Sequence, residues 1–135
     1  MSQAMRMIET YPTRVDAPDL EALTVCIEEC MVCGQACAAC ADACLAEDDV
    51  AALRACVRKC LDCADLCQSA TALLSRHTGD NGAVSRALLE ACRKACQQCA
   101  EECERHATAH AHCAACANAC RRCEDACTAL IPLLG

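Results

Sequence analysis

From residue 19 to residue 131 the chain places an apolar side chain every three or four positions, and cysteine fills most of those places. The thiols fall into four groups: Cys26, Cys30, Cys33, Cys37, Cys40 and Cys44; Cys56, Cys60, Cys63 and Cys67; Cys92, Cys96, Cys99 and Cys103; and Cys113, Cys116, Cys120, Cys123 and Cys127. Within every group the interval alternates between three and four without a break. That alternation is a heptad seam, which keeps one face of a helix turned toward partner helices. Leucines extend the phase. Leu23, Leu53 and Leu89 each stand three residues before the first cysteine of a group, Leu130 stands three after Cys127, and Leu74 stands seven after Cys67. Charged residues such as Glu28, Glu29, Arg58, Lys59, Glu101, Glu102, Arg121 and Arg122 fall off the seam and read as solvated outer faces.

The pattern predicts an all-α protein, an antiparallel up-down four-helix bundle with a cysteine-lined core. Helices are expected over 19–46, 49–76, 83–105 and 109–131, in a bundle domain of residues 18–135 that follows an N-terminal arm of residues 1–17. Pro18 suits a first helical turn, where its missing N–H costs nothing. Glu47, Asp48 and Asp49 supply a stop and then an N-cap. The segment from His77 to Gly82 holds two glycines among turn formers and is the clearest loop. The turn near 106–109 contains no strong breaker and is placed by length and the need to fold back.

This topology gives the bundle two unlike ends. Leu20, Leu23, Leu73, Leu74, Leu88, Leu89, Leu130 and Ile131 gather at one end as an apolar plug, where His77 reads as structural. His106, His110 and His112 collect at the other. His106 lies three residues after Cys103 and His110 three before Cys113, so both continue the seam, and this end reads as a metal entrance. Met31 directly follows Cys30 and therefore sits off the seam, as a packing residue.

Composition sharpens the picture. A chain of 135 residues suits one domain with a single core, yet Phe and Trp are absent and Tyr11 is the only aromatic, so nineteen cysteines occupy the space that large side chains usually fill. In a secreted chain that content would mean a disulfide framework. The opening MSQAMRMIETYPTR has no apolar h-region, no small-residue cleavage site and no twin-arginine pair, so the expected compartment is the cytoplasm, where thiols stay reduced. A net charge of -7 opposes nucleic acid binding. No run of about 18 uninterrupted apolar residues exists, so no membrane span is expected.

Reduced thiols in such an array point to soft metal ions: Cu(I), Zn(II) or iron–sulfur clusters. Charge balance separates them. A four-thiolate zinc site carries two surplus negative charges, which would multiply along an all-cysteine core, and buried charge is costly unless neutralised. One Cu(I) replacing one thiol proton leaves the core neutral when thiolates bridge between ions, so the expected cargo is many Cu(I) ions, up to one per cysteine. Helix neighbours at i and i+4 have Cβ atoms about 5 to 6 Å apart, too far for the disulfide range of about 3.5 to 4.5 Å, but suited to spanning a metal. The close-spaced ferredoxin motif is absent. A zinc or mixed thiophilic-metal buffer is the alternative. A thiol oxidoreductase is a further one, although six CxxC pairs are equivalent by pattern and such enzymes need one exposed, activated thiol. No catalytic constellation stands out.

On its repeated CxxxCxxC units, such as Cys26-Cys30-Cys33, Cys56-Cys60-Cys63 and Cys92-Cys96-Cys99, and on the HATAHAHC segment before Cys113, the chain resembles the bacterial four-helix-bundle copper storage proteins, specifically their cytosolic branch, over about residues 19 to 131. The resemblance implies reversible storage of many Cu(I) ions for copper sequestration, homeostasis and detoxification, mouth ligands that include histidine, and a homotetramer. By position, His106 and His110 match the mouth ligands. The exported branch carries methionines near its mouth, whereas here only Met31 lies within a helix, toward the plug.

Overall fold

Alternating three- and four-residue spacing leaves a helix no choice about which face it buries, and the computed structural model, which describes residues 1–17 and 19–135, shows the result. After a short helix α1 (Gln3–Glu9) come four long ones: α2 (Leu20–Leu45), α3 (Arg54–Leu74), α4 (Gly82–His106) and α5 (Ala111–Leu130). Helix α2 packs against α3 and α5, and α4 against the same two, while backbones on the diagonals stay apart. The four therefore form a ring of sequential antiparallel neighbours. Small side chains at the seam let them close on one another.

The helix ends follow local chemistry. Asp19 caps α2, its carboxylate accepting from the Ala22 N–H at 3.0 Å, so the helix proper begins at Leu20. The expectation for Pro18 lies outside the described residues. The acidic turn Glu47-Asp48-Asp49 is expected to supply an N-cap for the next helix, but Asp49, which stands at the cap position, makes no side-chain cap bond, and its carboxylate is engaged with His110. The chain passes instead through a 3-10 turn, Val50–Leu53, and becomes α-helical at Arg54. At the far end of α3, the Thr71 and Ser75 hydroxyls bond back to the carbonyls of Cys67 and Thr71, and the helix stops at Leu74. Gly79 supplies the loop's left-handed residue, at φ 72°. The turn placed by length alone falls between His106 and Ala111. Pro132 stands in a closing 3-10 turn, Ile131–Leu133.

All nineteen cysteines are buried, together with Leu23, Leu74, Leu89, Leu130 and Ile131 at the plug and Leu53 near the opposite end. Leu20, expected in the plug, is 40% exposed, since it occupies the first turn of α2 before the ring closes. Met31 is 53% exposed. The N-terminal arm has structure of its own: Ile8 and Val15 are buried in the common core, and Tyr11 hydrogen-bonds Thr78 and meets the His77 ring edge-on at 5.3 Å. Among the described helices only α2 has the length and apolarity a membrane span would need. Those properties come from Cys and Ala, and its cysteine face is buried against α3 and α5.

Candidate metal centre

Two antiparallel ladders of thiols build the interior. Between α2 and α5 the rungs are Cys26 with Cys127 at 4.0 Å, Cys30 with Cys123 at 3.7 Å, Cys33 with Cys120 at 3.8 Å and Cys37 with Cys116 at 3.8 Å. Between α3 and α4 they are Cys67 with Cys92 at 3.8 Å, Cys63 with Cys96, Cys60 with Cys99 and Cys56 with Cys103, the last three at 3.6 Å. The heptad spacing is the same on all four helices, so once one rung is in register the rest follow. Across the axis the ladders touch, through Cys33 and Cys63 at 3.8 Å, Cys37 and Cys99 at 3.9 Å, Cys60 and Cys116 at 3.9 Å and Cys67 and Cys123 at 3.9 Å.

The thiols group into tetrads whose sulfurs all lie within 4.8 Å of one another, among them Cys30, Cys92, Cys123 and Cys127 near the plug and Cys40, Cys60, Cys103 and Cys116 nearer the mouth. The tetrads overlap. Cys33, Cys37, Cys63, Cys116 and Cys120 each belong to two of them, so neighbouring groups share sulfurs along the column. Bridging thiolates are the arrangement this geometry favours. No buried side-chain nitrogen or oxygen lacks a hydrogen-bond partner among the described residues, and the potential metal donors that meet along the axis are thiols.

At the mouth the column ends on Cys40, Cys44, Cys56 and Cys113. Burial, with the Cys56 charge adding to it, pushes Cys44 up to about 11 and Cys113 up to about 12, so without metal these thiols stay protonated and neutral at neutral pH. The three histidines differ. His112, half-buried at the start of α5, has Nδ1 3.4 Å from Cys40 Sγ and 3.6 Å from Cys113 Sγ. Its Nε2 lies 3.1 Å from Glu47 Oε2. His110 directs Nδ1 to Glu47 and Nε2 to Asp49 Oδ2 at 3.0 Å, and stacks on His112 with ring centroids 5.6 Å apart. The Asp49 carboxylate, seconded by Glu47, raises His110 above the ordinary imidazole range, and His110 in turn lowers Asp49. His106 gives Nε2 to Glu102 Oε2 at 2.8 Å. The structure thus brings all nineteen predicted cysteines together and places His106 and His110 at the same end, each bound to carboxylate. The imidazole that touches thiols is His112.

Two features escaped the sequence reading. Glu102, expected on an outer face, is only 6% exposed and gathers His106, Arg105 at 2.9 Å and Lys59 at 3.9 Å. Its i,i+4 relation to His106 was a usable signal. Glu47 offered none, since its partner His112 is 65 residues away in the chain.

A ring of four helices around a continuous, fully buried column of thiols defines a container for soft metal ions. The chain belongs to the copper storage protein family, whose model matches residues 19–132. It is similar to the copper storage protein Ccsp of Streptomyces lividans loaded with 10 copper equivalents, at 51% identity over 97% of this chain and 99% of that one, with a TM-score of 0.94. It is also similar to a cytosolic copper storage protein from Streptomyces lividans with five coppers, at 56% identity over 85% of this chain and 96% of that one, with a TM-score of 0.83. No curated protein matches the sequence.

Proposed function

We propose that this protein stores Cu(I) in the cytoplasm, holding many ions, up to one per cysteine, as thiolates within the bundle core, and thereby sequesters and buffers copper. The observation that carries this reading is the column of nineteen buried, overlapping thiols. Each Cu(I) displaces one thiol proton, so the core passes from neutral to neutral as it fills. Because the empty thiols already pack as small apolar side chains, the container exists before its cargo arrives. Four-thiolate zinc sites would each leave two surplus negative charges in the core, which weighs against a zinc buffer. No thiol is exposed and singled out as a nucleophile, which supports binding rather than catalysis.

Ions enter at the histidine end. His112 and the mouth thiols take the first of them, His106 and His110 line the approach, and the leucine plug closes the other end. The bundle is the storage unit of residues 18–135, and it assembles as a homotetramer. Anaerobic titration of the reduced protein with Cu(I) against a chromophoric chelator tests the reading. Tight uptake approaching the thiol count is expected. Saturation below about four ions, the number of closed four-thiolate sites nineteen thiols could make, would overturn it. Sedimentation velocity tests the assembly, and a monomer at all concentrations contradicts the tetramer.

A further inference from the structure

We propose that Glu47 is a positioning residue of the metal mouth: its carboxylate fixes the His112 ring so that Nδ1, with its lone pair free, faces Cys40 and Cys113 and meets the first Cu(I) to arrive. The proposal deepens the storage reading and rests on it. A carboxylate only accepts hydrogen bonds, so Nε2 of His112, 3.1 Å from Glu47 Oε2, is the nitrogen that carries the hydrogen. In the neutral ring the lone pair is then on Nδ1, the atom 3.4 Å and 3.6 Å from the two sulfurs. The partner of one ring nitrogen decides which face the other presents to a metal. With Nε2 left unpaired, the opposite tautomer would turn an N–H toward the thiols and leave no donor for the ion.

Glu47 is itself held in place. The same Oε2 accepts from His110 Nδ1, and the other nitrogen of His110 is bound to Asp49. The carboxylate therefore cannot swing to solvent without breaking two contacts. It also joins the segment after α2, which carries Cys40, to the first turn of α5, which carries Cys113, so the ring and both sulfurs are set by one side chain.

Two-bond proton–nitrogen NMR of the reduced, copper-free protein reads the tautomer directly. Wild type should carry its His112 hydrogen on Nε2. Glu47→Gln, whose amide oxygen still accepts, should keep it there, whereas Glu47→Leu should shift it toward Nδ1. In chelator competition, Glu47→Leu should weaken the first Cu(I) by about 10- to 100-fold, with Glu47→Gln retaining most of the affinity and total capacity unchanged in both. A wild-type hydrogen on Nδ1, or a Glu47→Leu protein that binds its first ion as tightly as wild type, overturns the proposal. Low total capacity in wild type would instead overturn the storage reading, whatever the tautomer.

Discussion

Single side chains in this core are small, and that makes the few large ones important. Leu89 is fully buried at the plug and, with Leu53, is among the largest of the fully buried side chains. Leu89→Ala should therefore cost about 2 to 5 kcal/mol of stability, read from denaturant unfolding of the reduced protein, with no change in the number of Cu(I) ions bound. A loss of capacity would show that the plug supports the thiol column directly. Gly34, within α2, points toward α3, where an added Cβ would lie 3.5 Å from Cys67 Cβ, an ordinary contact. Gly34→Ala should stabilise the protein by about 0.4 to 1 kcal/mol, chiefly by restricting the unfolded chain. A lower unfolding midpoint would mean that the two helices sit closer than this geometry shows.

At the scale of elements, the short helix α1 and the strand of chain after it form a strap over the plug, fastened where Tyr11 meets His77 and Thr78. Burial lowers the His77 pKa below its ordinary value, so the docked strap favours the neutral ring. An undocked ring binds its proton near about 6.5. Docking should consequently be at full strength above that pH and weaken as the pH falls through it toward the lowered value of the docked state. Tyr11 is the only aromatic residue, so intrinsic fluorescence reports this contact alone. It should change between pH 7.5 and 5 in wild type and stay flat in His77→Gln. The four long helices behave differently, because their seams are held by contacts along their whole length rather than at one point.

At the scale of the whole molecule, filling by exchange of one thiol proton for one Cu(I) would leave the charge of the core unchanged, and the empty and filled bundles would differ in what crosses the axis. Cu(I) bridges between α2, α3, α4 and α5 would add bonds where the empty protein has only thiol contacts of 3.6 to 4.0 Å. Circular dichroism of the reduced protein should show full helicity without copper. Loading should then raise the melting temperature with little change in helicity, since a ligand that binds only the folded state stabilises it by mass action. A disordered metal-free chain would contradict the preformed container. Proton release during loading, measured in weak buffer, should approach one per thiol occupied.

The sequence by itself determined that four helices bury four cysteine seams, because a three-four alternation has a single inward face and each break in it falls at a turn. It determined that the two ends are unlike as well, since sequential antiparallel helices leave most of the leucines that flank the seams at one end and His106, His110 and His112 at the other. The burial of Glu102 and the partnership of Glu47 with His112 were decided only by the tertiary structure. Both depend on which side chains face each other across helices far apart in the chain, and on small lateral offsets at helix ends that a periodic pattern does not record. The choice among three histidines is of the same kind. His106 and His110 continue the seam by spacing, yet carboxylates hold them. His112, beside Cys113 in sequence, is turned onto the thiols by the carboxylate behind it.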